Sequence, residues 1–145
     1  MLTDVLERSN AIEECYEFML AYAAQGLPTD EDSPSGGKLR QLLARAAAAL
    51  SGLGESLAVA VEDDIERSEE YHAFFRVVDR DARASLAALE LVLSQPAISS
   101  QLIDNLNASS HLRALLTDLF LLGEIFKERS RSAQPAAQAN GSAAS

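Results

Sequence analysis

The segment whose spacing comes nearest to chemistry is Glu69-Glu70-Tyr71-His72. A glutamate and a histidine three positions apart on a helix lie on the same side, one turn apart. Together they can offer a carboxylate oxygen and an imidazole nitrogen to one transition-metal ion. Glu13, Glu17 and Glu124 are further carboxylates in helical segments. Phase argues against the set. On a wheel of ~100° per residue, Glu69 and His72 fall more than roughly 100° from the centre of their own apolar stripe. Both are expected to meet solvent. Glu13 sits at the edge of the first helix's stripe and Glu17 farther out, as solvated flanks with i,i+4 pairing would. A metal site would require Glu13, Glu69, His72 and Glu124 to converge inside the fold.

Ferritin-like di-iron bundles use two Glu-x-x-His motifs plus a glutamate from each of two further helices. The other histidine here, His111, has Ala108 three positions before it, so the second motif is missing. The chain resembles ferritin-like proteins in helix number and length, and on no specific residue set. What that resemblance implies is an alternative function: an iron-binding or oxidoreductase protein with an atypical or decayed carboxylate site at Glu13, Glu69, His72 and Glu124. A histidine phosphotransfer domain needs an exposed histidine followed in step by a basic and a small residue. Neither His111-Leu-Arg-Ala-Leu nor His72-Ala-Phe-Phe-Arg keeps that step. Nucleophilic catalysis has no constellation to use, with two histidines, one cysteine and no glycine-rich elbow. Ser35-Gly-Gly-Lys38 lacks the rest of a phosphate-binding loop, and no haem-attachment motif is present. Cys15 borders an apolar face and reads as a packed thiol.

The elements that must position these residues are helices. Alanine and leucine are many, while glycine, proline and β-branched residues are few. A first helix is predicted from about Thr3 to Gln25, with Val5, Ile12, Tyr16, Met19 and Ala23 as its stripe and Leu2, Leu6 and Leu20 on one flank. Gly26 suits a left-handed cap. The segment from Leu27 to Gly37 reads as a solvated crossover, because the adjacent acids Asp30, Glu31 and Asp32 lack the spacing of a calcium loop. A second helix, Lys38 to Val61, carries Leu39, Leu42, Leu43, Ala46, Leu50, Leu53, Leu57, Ala60 and Val61 on one face. That phase holds through Gly52 and Gly54, which predicts one continuous helix with room for a close crossing. Asp63 and Glu66 resemble a capping box in the charged turn that follows. The third helix runs to about Ser94 with Tyr71, Phe74, Phe75, Val78, Ala82, Leu86, Leu89, Val92 and Leu93 inward, and Pro96 stops it. The fourth starts near Ser99 or Ser100. Its face turns by roughly 120° between Leu102-Ile103-Leu106 and Leu112-Leu115-Leu116-Leu119-Leu122-Phe126, which predicts a break at Asn107–Ser110.

The predicted fold is thus all-α: an antiparallel, up-down-up-down four-helix bundle over residues 1–129. A low-complexity tail, 130–145, reads as disordered. Two surface features point to partners. Ala114, Leu121 and Ile125, with Phe120 at the edge, give the fourth helix a second apolar face suited to self-association. His72, Arg76, Arg80 and Arg83 form a basic strip suited to docking another protein. The formal charge of −10 opposes binding to nucleic acid or an anionic membrane. With no signal-peptide pattern and one cysteine, a cytoplasmic protein is expected. The function expected is a non-catalytic, cofactor-free interaction module that forms a homo-oligomer.

Overall fold

The computed structural model describes residues 2–62 and 69–133, with side chains for 3–60 and 69–128. Six helices make up the regular structure of the described residues: α1 (Leu2–Ala24), α2 (Pro34–Leu50), α3 (Leu53–Glu62), α4 (Glu69–Leu93), α5 (Ser100–Ala108) and α6 (Ser110–Ala133). The chain is all-α. Helix α1 packs along α2 and α5, and α4 packs along α6, α3 and α2. Between them lie Ile12, Met19 and Tyr22 of α1, Leu39 and Leu43 of α2, Leu57 of α3, Leu89 of α4, Ile103 of α5 and Leu115 of α6, all essentially without solvent contact.

Local signals start and stop these helices. Ser33 caps α2, its hydroxyl accepting from the Ser35 N–H at 3.2 Å, and Pro34 takes the first turn. Ser99 caps α5 by accepting from the Leu102 N–H at 3.0 Å. Ser109 ends α5, and the break predicted at Asn107–Ser110 lies there. Helix α6 then continues past Arg129 to Ala133. The charged turn with Asp63 and Glu66, and the tail after Ala133, lie outside the described residues.

The second helix is not continuous. The chain turns at Ser51-Gly52, where Gly52 adopts φ +79°, a conformation a Cβ would disfavour, and α3 departs at 50° to α2. Arg8 of α1 holds the corner. Its Nη1 donates to the carbonyls of Ala49 (3.0 Å) and Ser51 (2.8 Å), satisfying groups that the end of α2 leaves open. The wheel misses this bend because Leu50, Leu53 and Leu57 all remain buried through it. The small residues do permit a close crossing: a Cβ on Gly54 would meet the Asp79 side chain of α4.

The acidic crossover is also not simply solvated. Asp30 is buried, accepts from Arg40 Nε at 2.6 Å and from the Ile98 N–H at 2.6 Å, and so ties the loop to α2 and to the α4–α5 connection. Arg40 continues the tie by donating to the carbonyls of Gln95 (2.9 Å) and Leu93 (3.3 Å). Gly36 is required at this point, since a Cβ on it would overlap the Asp30 carbonyl. Beside it, the buried Tyr22 hydroxyl donates to the Ile98 carbonyl at 2.7 Å, and Ser100 Oγ donates to the Tyr22 carbonyl at 2.6 Å. The inward face of α1 is accordingly Ala11, Cys15 and Tyr22 as well as Val5, Ile12 and Met19, whereas Leu6 and Leu20 are exposed. Among the described residues no single helix is long and apolar enough to cross a membrane.

Candidate functional site

Helices α1 and α6 touch only briefly, and a trench of about 600 Å³ runs between them. Val5 of α1, Leu57 of α3 and Leu119 and Leu122 of α6 are buried residues lining it. Leu6 and Phe120, both more than half exposed, line it as well, with Glu13, Glu124 and Lys127 among its polar groups. A smaller hollow shares Glu13 and Phe120 and extends the trench to Glu17 on α1 and Arg113 on α6. From Val5 to Glu17 the wall is about 18 Å long at 1.5 Å per residue. Gly123 also lines the trench, in the interior of α6, where a Cβ would meet no atom within 4 Å.

The residues predicted as an interface fall into two groups. Phe120 (56 % exposed) and Leu121 (49 % exposed) stand side by side in the sequence of α6 and open to solvent. Ala114 and Ile125 are half-buried, so the second apolar face is narrower than the wheel suggests. The reason is α4, which packs along α6 and meets it at Asp118, one turn from Ala114 and from Leu121.

The four residues of the metal alternative do not come together. Glu13 and Glu124 share the α1–α6 trench. Glu69 and His72 are exposed on α4, and His72 lines a separate concavity with Gly54 and Glu55 of α3. The helical phase of α4 accounts for this, since Phe75, Val78 and Ala82 take the inward positions. Among the described residues no three His, Cys, Asp or Glu side chains gather where they could hold a metal ion. The His72 concavity also takes in Arg76 and Arg83 of the basic strip, while Arg80 is exposed. Arg83 Nε donates to Asp79 at 2.9 Å, an exposed i,i+4 pair. Cys15 is buried, and burial pushes its thiol up to about 12, which leaves it protonated and unreactive.

One polar constellation was missed in the sequence. Asp118 of α6 lies beside Asp81 of α4, and Asp118 Oδ2 is buried with no hydrogen-bond partner among the described residues. Two ionised carboxylates only accept, so a hydrogen bond between them requires that one carry a proton. Burial first, then the hydrogen bond and charge of Asp81, push Asp118 up to about 7. Ser85, one turn beyond Asp81 on α4, is fully buried with its hydroxyl unpartnered. Spacing could have shown it: Val78, Ala82, Ser85, Leu89 and Val92 form one buried stripe. Neither aspartate lines the α1–α6 trench, so this proton-sharing pair belongs to helix packing.

No family model, curated protein or solved structure matches the chain. Function must be argued from the surface.

Proposed function

We propose that this protein is a non-catalytic helical interaction module that self-associates through the outward face of α6 and docks a second protein. The observation that carries the reading is the pair Phe120 and Leu121, each about half exposed on a helix whose other face is core. Burying two such side chains against a partner is worth roughly 1.5–3 kcal/mol each before association costs. Ala114 and Ile125 would frame that contact. The underlying architecture is a four-helix, up-down-up-down bundle, with α2–α3 as a bent second helix and α5–α6 as a broken fourth. His72, Arg76, Arg80 and Arg83 offer a cationic strip on an acidic molecule, suited to orienting an acidic partner. A cytoplasmic setting fits this reading. Sedimentation equilibrium of the wild type and Leu121→Glu tests it. Loss of the assembly with unchanged helicity supports the proposal; an unchanged mass places the interface elsewhere.

A further inference from the structure

The outward face of α6 has an apolar centre with opposite charges at its two ends. On a wheel of ~100° per residue, Arg113, Thr117, Phe120 and Glu124 fall within roughly 60° of one another. All four are exposed. Thr117 Oγ1 already donates to the Arg113 carbonyl at 2.9 Å, so covering this position strands no hydroxyl. Arg113 and Glu124 form no ion pair among the described residues, although Arg113 shares a hollow with Glu13 and Glu17. The two charges stand about 16 Å apart along the helix, at 1.5 Å per residue.

This arrangement is complementary to itself. A two-fold contact requires that wherever one residue meets a second, the second meets the first. With Arg113 of one α6 set against Glu124 of an antiparallel copy, Thr117 falls opposite Phe120, and the axis repeats both pairings. The four positions have the i, i+4, i+7, i+11 spacing of a helix–helix seam. Leu121 and Ala114 run along one edge of the seam, and this register brings each Leu121 beside the partner's Ala114. Along the other edge lies a hollow of about 230 Å³, lined by Tyr16 of α1 and by Arg113, Leu116 and Thr117 of α6. Phe120 stands at its rim, more than half exposed. The partner's Phe120, level with Thr117, comes over that hollow, so knob and hole belong to the same surface. The copies each carry a formal charge of −10 and repel at long range; two Arg–Glu contacts oppose that repulsion where they meet. A foreign helix would have to carry base, apolar centre and acid in this order, whereas a second copy does so by construction.

We infer that two copies of this chain pair through antiparallel α6 helices about a two-fold axis between Thr117 and Phe120. Arg113 of each copy faces the partner's Glu124, and Phe120 of each enters the partner's hollow between α1 and α6. The inference rests on the self-association reading and gives it an occupant, a direction and a register. Sedimentation equilibrium of full-length charge variants tests it. Arg113→Glu and Glu124→Arg each turn two attractive contacts into two repulsive ones and should weaken the dimer about tenfold. The double variant Arg113→Glu/Glu124→Arg restores both contacts with the signs exchanged, and its dissociation constant should return to within about threefold of the wild type. Mixing the two single variants should also recover a dimer, since one then brings acid to both ends and the other base. Phe120→Ala, which leaves the charges in place, should weaken the dimer about tenfold or more. All three positions are exposed, so far-UV circular dichroism is expected to be unchanged. The inference is overturned if the double variant stays as weak as the single ones, if the single variants dimerise as the wild type does, or if Phe120→Ala has no effect. Should Leu121→Glu still split the wild-type assembly in those cases, self-association through α6 stands and only this pairing falls. A wild-type monomer overturns both.

Discussion

Asp118→Asn should make the protein more stable at pH 8 while leaving it nearly unchanged at pH 4. In the folded chain the Asp118 carboxyl stays protonated up to about 7, against 3.8 for the free group, because it is partly buried against Asp81. Between those two values the folded state holds a proton that the unfolded state has released. Stability therefore falls as pH rises from about 4 to 7, and this contribution is gone above 7. At about 1.36 kcal/mol per pH unit the upper bound is about 4 kcal/mol, and the water access that Asp118 retains reduces it to about 1–2 kcal/mol. Asparagine keeps the shape, cannot ionise, and donates an N–H to the Asp81 carboxylate. For a chain of this size, 1–2 kcal/mol corresponds to a melting temperature higher by roughly 3–8 °C. Thermal melts followed by far-UV circular dichroism, on both proteins from pH 4 to 8.5, isolate the effect as a difference, so other carboxylates cancel. A difference that grows from near zero at pH 4 to its full value above pH 7 is expected. A difference that does not vary with pH, or a variant less stable at pH 8, refutes the proton-sharing pair.

The two glycines with opposite surroundings should respond with opposite signs. Gly36→Ala forces a methyl into the Asp30 carbonyl and should lose about 2 kcal/mol or more; Gly123→Ala enters open space and should gain about 0.5–1 kcal/mol. Urea titration of both variants checks the pair, and a tolerated Gly36→Ala contradicts the docking of the crossover loop. Asp30→Ala leaves the buried Ile98 N–H and the Arg40 guanidinium without their acceptor, so a loss of about 2–3 kcal/mol is expected at pH 7. Arg40 first, with the Ile98 N–H, holds the Asp30 carboxyl below 3.8. That stabilisation is present above pH ~4 and is lost as pH falls further, so the two proteins should converge in acid melts. Cys15 should resist an aromatic disulfide reagent in the native protein at pH 8 and react fully in denaturant; rapid native labelling contradicts its burial.

Legibility of the fold followed the range of the interactions involved. The centres of the buried faces of α2, α3 and α4 could be read from periodicity, since the residues of a stripe are set by the same 3.6-residue repeat. On α4, however, the wheel passed over the buried Ser85 and counted Tyr71, Phe74, Leu86 and Leu93, which are only half-buried. The Val61 side chain of the α3 stripe lies outside the described residues. The break at Ser109 was visible because the face itself turns between Leu106 and Leu112. The corner at Gly52 was hidden for the converse reason: the helix bends while its apolar phase persists, and the residue holding the bend, Arg8, comes from α1. Asp30 looked like one of three solvated acids because Arg40 and Ile98 are remote in sequence, and no local rule pairs them. For the surface, the wheel identified Phe120 and Leu121 as outward, and over-counted Ala114 and Ile125 because it cannot see α4 alongside. The trench between α1 and α6 was not legible at all, since a gap between two helices is a property of how they are placed rather than of either sequence.

The most direct test of a non-catalytic, self-associating module is a native mass spectrum of the untagged full chain at low micromolar concentration, which reports subunit number and bound metal together. The expected result is a dimer or higher oligomer whose mass is an integer multiple of the chain mass. A monomer persisting as concentration is raised, or two metal masses per subunit, would contradict it and return attention to Glu13, Glu69, His72 and Glu124.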